Sequence, residues 1–170
     1  MNAIFSAVEH LGLWLSRLTM VLLGVLVVLV VADVAVRTLG LRPLSWASST
    51  AEYILLYAAF LPLPYLVRHK GHVFVEFLRA PMSPAVKKAV ERFVYVMCIA
   101  ICIYLAWVAT QNGWVAWREG SYETRTFDMP KWLVFLPMAL GFWLATIEWL
   151  RFLLGADSLY NIDPLKMDGY

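Results

Sequence analysis

The sequence predicts an all-α integral membrane protein: a single membrane domain over residues 1–170, with four transmembrane helices. Three observations carry this. Of the 170 residues, 62% are apolar and 15% charged, where soluble domains run to about 45–50% and about 25%. Mean hydropathy is +0.70. The charges are also segregated, because residues 18–32, 53–67, 93–117 and 132–147 carry none. This composition excludes a water-soluble domain. It also excludes disorder, which needs low hydrophobicity and high charge. A net charge of +2 gives nucleic acid no basic face to bind.

A bilayer core of about 30 Å needs roughly 20 apolar helical residues. The run 93–117, at 25 residues, meets this alone. The other three meet it once a flanking turn is included, since Arg and Glu side chains near helix ends snorkel to the interface. The predicted helices cover about 12–36, 50–68, 84–117 and 130–153, leaving loops 69–83 and 118–129 and a tail 154–170. The first run resembles a signal peptide, with Val30-Val31-Ala32 as a cleavage site. Its length and the late Arg17 favour a retained helix.

Local signals mark the helix starts. Ser49-Thr50-Ala51-Glu52 fits a capping box opening the second helix. Ser83-Pro84 fits an N-cap followed by proline at the first helical position, and Asp128-Met129-Pro130 gives the fourth helix a similar start. Pro62 and Pro64 interrupt the second helix, so a kink is expected near residues 58–60. The third helix, at about 50 Å, outruns the bilayer. Lys87, Lys88, Glu91 and Arg92 on its first turns read as a solvated face at the interface. The segment from His72 to Ala80 alternates in polarity and is too short to span, which suits an interfacial link.

Four spans put both termini and the middle loop on one side. That side carries nine Lys and Arg, six of them within residues 68–92, against five on the other. The positive-inside rule therefore places both termini in the cytoplasm. Tryptophans agree, with Trp46, Trp114, Trp117 and Trp132 at the outer interface and Trp14 and Trp149 at the inner one. Trp107 and Trp143 are expected to pack.

The interior is chemically sparse. A coupled transporter needs ionisable groups near the midplane, and all of those here fall near helix ends or in loops. His10, His69 and His72 lie near or beyond the inner ends, where they cannot clasp a haem between facing helices. Cys98 and Cys102, one turn apart in the third helix, read as apolar packing. Neither a nucleophile elbow nor a phosphate loop is present, so no catalytic, metal or cofactor site is expected. The helix-end charges read as pairs: Asp33 with Arg37, Glu52 reaching Arg37, and Glu148 with Arg151 near the level of Arg17. Such pairs staple a bundle or meet another subunit.

The order of elements resembles the small membrane subunit of TRAP (tripartite ATP-independent periplasmic) transporters, the DctQ-like family. Arg37 closes the first helix; Trp46 and Glu52 open the second; Arg68, then Gly71-His72-Val73 and Glu76, follow it. A polar outer loop leads to Pro130, Trp132 and Pro137. The resemblance covers residues 10–153. It implies a multi-pass protein of the bacterial inner membrane that binds no cofactor. It implies a tight pairing with a large elevator-type membrane subunit, which would hold the sodium and organic-acid sites, and a transient one with a periplasmic substrate-binding protein. The small subunit would be a stationary scaffold, with a phospholipid bound at the subunit seam. Arg68, His72 and Glu76 would line the cytoplasmic interface. The outer loop is rich in both charge signs, which suits docking of the periplasmic partner by Arg42, Arg118, Glu119, Tyr122, Glu123, Arg125 and Asp128. A membrane anchor of a respiratory complex is the competing class, and the histidine placement argues against it.

Overall fold

The computed structural model describes residues 2–42, 44–69, 83–124 and 128–155. Helix α1 runs Asn2–Thr38, α2 Ser45–Phe60, α3 Leu63–Arg68, α4 Pro84–Glu119 and α5 Trp132–Leu153. Strands β1, Tyr122–Thr124, and β2, Asp128–Pro130, form an antiparallel hairpin between α4 and α5. Among the described residues, four stretches are long and apolar enough to cross a bilayer: Phe5–Thr38, Ser45–Arg68, Val86–Glu119 and Trp132–Leu153.

Several boundaries differ from the sequence expectation. Helix α1 starts ten residues before position 12, and at about 55 Å it outruns the bilayer. Helix α2 starts at Ser45, with Leu44 as its N-cap, so Ser49 lies buried inside the helix rather than at a capping box. The proline pair ends α2 instead of bending it. Residues 61–62 form a turn, and a six-residue helix, α3, restarts beyond. Ser83 is the N-cap of α4 with proline at the first helical position, although its side chain makes no capping bond. Residues 128–130 are strand, and α5 begins after Lys131. The expected interfacial segment from His72 to Ala80 lies outside the described residues.

Helices α4 and α5 meet along a seam of small residues. Ala106 and Ala109 on α4 and Ala145 on α5 are buried there, while Gly141 of α5 is buried against Phe60 of α2. Lipid tails are as apolar as Leu, so helices in a bilayer gain most from close approach, and small residues permit it. Helix α1 repeats this device at one end only. Val8, Gly12, Ser16 and Thr19 are buried at helical spacing, with Gly12 against Pro64 and Tyr65. Its remaining turns present Val, Leu and Met outward, and only 6% of its apolar stretch is buried.

The prolines free backbone carbonyls that have no water to turn to. Pro137 has no N–H for the carbonyl of Leu133, and the Tyr57 hydroxyl donates to that oxygen from α2 at 2.9 Å. Pro64 likewise frees the carbonyl of Phe60. That oxygen presses against Gly141, where a Cβ would collide with it, so the glycine's α-hydrogen faces it as a weak donor. Threonine hydroxyls within the spans bond one turn back: Thr110 donates to the Ala106 carbonyl and Thr146 to that of Phe142.

Gly141 is therefore a fixed point of the bundle. Gly141→Ala is expected to lower stability by about 1–3 kcal/mol, the usual penalty for overpacking. Gly24→Ala, with nothing within 4 Å of the new Cβ, is expected to leave it unchanged. Thermal unfolding of both variants in detergent checks the contrast.

Candidate functional site

Charged side chains gather at two places, at opposite ends of α1. At its N-terminal end four of them form one cluster. Glu148 of α5 is 1% exposed. Its carboxylate meets Arg68 Nη1 at 3.2 Å and Arg151 Nε at 3.3 Å. Arg68 also reaches Glu9 of α1 through Nη2 at 2.6 Å and donates to the Phe5 carbonyl at 3.3 Å. The guanidinium fork thus ties α1, α3 and α5 together, which a lysine's single ammonium would do less well. The cluster holds two acids and two bases. That balance limits the cost of burying charge.

Each position follows from the chain's local rules. Arg68 ends α3, where a cation suits the helix C-terminus. Glu148 and Arg151 are three apart on α5 and so share a face. Below the cluster, Tyr95 of α4 packs with Trp149 and Phe152, with ring centroids 6.0 and 5.9 Å apart. The Arg151 guanidinium carbon lies 5.2 Å from the Phe152 ring centroid, which joins these rings to the cluster. Its geometry is that of a staple. Removing one partner of such a pair costs about 3–5 kcal/mol, because the other charge stays buried.

At the C-terminal end of α1, Asp33 accepts from Arg37 Nη2 at 2.7 Å and from the backbone N–H of Leu44 at 3.0 Å. The second bond fixes the entry to α2. Arg37 itself is 60% exposed.

Several sequence assignments fall differently in the structure. Arg68, expected at an interface with His72 and Glu76, is the hub of the cluster, and those two residues lie outside the described part. Arg37 pairs with Asp33 rather than with Glu52, which is exposed on α2. Arg17 is exposed, and the Glu148 carboxylate turns to Arg68 and Arg151. Glu9 was not anticipated, because α1 was expected to start beyond it. Trp149 is buried in the core instead of lying at the interface, and Trp107 is 57% exposed. Trp143 is partly exposed and donates to Thr110 Oγ1 at 3.1 Å.

The expected docking residues sit at the hairpin end. The left-handed Gly120 (φ 57°) stops α4, and the Ser121 N–H returns to the Ala116 carbonyl at 3.2 Å. The hairpin pairs Tyr122 with Pro130 and Glu123 with Met129. Arg118, Glu119, Tyr122 and Asp128 are exposed there and Glu123 half-buried, while Arg42 is exposed after α1. Arg125 lies outside the described residues. His69 donates to the Tyr65 carbonyl at 3.0 Å, and its ring stacks on that tyrosine. Among the described residues, no three His, Cys, Asp or Glu side chains gather as metal ligands would.

Four apolar spans, three of them tied together by an ion-pair cluster at one end, define a multi-pass membrane subunit of the structural kind. The chain matches the family model for tripartite ATP-independent periplasmic transporters, DctQ component, over residues 8–157, and it belongs to that family. It is a TRAP small membrane subunit of the inner membrane, and such subunits are transporter components rather than enzymes. The chain is also similar to the sialic acid TRAP transporter permease protein SiaT of Haemophilus influenzae (strain 86-028NP), at 28% identity over 99 residues. That match covers 58% of this chain and 15% of the relative, so most of the relative's length lies outside it. No solved structure matches the chain.

Asp33 offers a local test. Asp33→Ala leaves the Leu44 N–H without its acceptor and is expected to cost about 1–3 kcal/mol, with faster amide exchange at the start of α2. Arg37→Ala, on the exposed side of the same pair, is expected to change stability by less than about 0.5 kcal/mol.

Proposed function

We propose that this chain is the stationary scaffold of a sodium-driven TRAP transporter that imports an organic acid. In this reading it supports a large elevator-type membrane subunit in a tight heterodimer and helps dock a periplasmic substrate-binding protein. The observation that carries it is the placement of charge. Every ionisable cluster described lies at a helix end and is paired for structural use, so the coupling-ion and substrate sites fall to a partner. The apolar outer surface of α1 and the middle of α4 suits an assembly that shares the bilayer with a larger protein. The name of the Haemophilus relative carries sialic acid, itself an organic acid, and so supports the substrate class.

The excess of Lys and Arg on the side of residues 68–92 supports cytoplasmic termini and a periplasmic hairpin. The hairpin is then the part of the chain that a soluble partner meets. Its mixed charges would set orientation and association rate more than affinity. Reversal of Glu119 and Glu123 to Lys is expected to slow uptake severalfold at limiting binding protein and to leave the membrane complex intact. Transport in proteoliposomes, with co-purification as the control, measures both. Unchanged uptake would remove the docking role, and failure to co-purify with a larger membrane protein would remove the scaffold role.

A further inference from the structure

A groove of about 280 Å³ opens between α4 and α5 at the hairpin end. Trp114 and Trp117 of α4 and Trp132 and Phe135 of α5 wall it, Gly113 deepens it, and it runs inward to Ala139. Trp117 and Trp132 meet edge to face at 4.9 Å. The guanidinium carbon of Arg118 lies 5.5 Å from the Trp114 ring centroid, which holds an exposed cation beside the aromatic wall.

We propose that this groove binds one diacyl phospholipid, with an acyl chain along the tryptophan wall and the headgroup phosphate on Arg118. The volume has room for roughly ten methylene-sized groups. A helix, about 10–12 Å across with its side chains, would sit astride the groove and leave it unfilled. From Trp117 to Ala109 the groove follows α4 for about 12 Å, the depth reached by the upper part of an acyl chain. Tryptophans at the end of a span lie at headgroup level, so Arg118 stands where a phosphodiester lies. Arg binds phosphate oxygens through paired N–H donors. Fixed rings and a held cation distinguish this place from the lipid-bathed surface of α1, which carries no comparable charge along its exposed middle turns. The inference depends on the membrane setting alone and not on the transport role.

Native mass spectrometry of the full-length chain in mild detergent, before and after delipidation and titration with palmitoyl-oleoyl phosphatidylethanolamine, tests it. The chain is expected to keep one phospholipid and to rebind one. Arg118→Gln, at an exposed position, is expected to weaken rebinding roughly tenfold through loss of a charge-assisted hydrogen bond. Ala139→Phe fills the inner end of the groove and is expected to abolish rebinding, while Val28→Phe on the exposed face of α1 leaves it unchanged. If Ala139→Phe does not fold, Arg118→Gln decides the matter alone. No retained lipid, or equal rebinding by the wild type and Arg118→Gln, would overturn the proposal. So would loss of the lipid once the chain is assembled with a larger membrane protein, because the groove would then be covered by that partner.

Discussion

A carboxylate that is 1% exposed at the end of a membrane bundle must be neutralised, and the rest of this fold accommodates that demand. Glu148 sits on the buried face of α5, beside the packed rings of Trp149 and Phe152. Arg151 shares its face but comes from the same helix, so it fixes no neighbour. Arg68 comes from another element and does. Arg68 is carried by α3, which the turn at residues 61–62, beside Pro62 and Pro64, separates from α2. To keep Arg68 from carrying excess charge, α1 extends far enough beyond the span to offer Glu9. One ionic requirement thus links the unusual length of α1, the division of α2 from α3, and the seating of α5.

The apolar part of the bundle meets a different constraint, since each freed carbonyl needs a partner inside the protein. Pro64 and Pro137 each free such a carbonyl, and a neighbouring helix meets both. Tyr57 donates to one, and Gly141 approaches the other so closely that no side chain fits. These contacts tie α2 to α5, and the alanines of the seam let α4 pack on α5, while the apolar stretch of α1 stays largely exposed. A protein so arranged has its rigidity at the centre and its free apolar surface at the periphery, which is the distribution a scaffold needs.

Much of this was legible in the sequence, and the exceptions have physical causes. All four spans were legible in hydropathy, because an uncharged apolar run of 15 residues or more is a strong signal even where a flanking turn must complete the span. Helix ends were less legible: a capping box reads the same inside a helix as at its start, and Ser49 proved to be interior. Three-residue strands are too short for alternation to register, so the hairpin was read as loop. The Asp33–Arg37 and Glu148–Arg151 contacts were visible as helical spacings. The link from Glu148 to Arg68 joins residues 80 apart, and no local period reports such a distance. Small residues mark the close approaches in the sequence itself, since Ala106, Ala109, Gly141 and Ala145 stand out by size on otherwise bulky helices.

The central claim is that Arg68 and Glu148 act as one buried unit that sets the bundle. A double-mutant cycle on Arg68→Gln and Glu148→Gln, read by equilibrium unfolding in detergent, tests it most directly. Each single change should be strongly destabilising, and the double variant should recover part of the loss, with a coupling of about 1–3 kcal/mol. Losses that add to within about 0.5 kcal/mol would contradict the account.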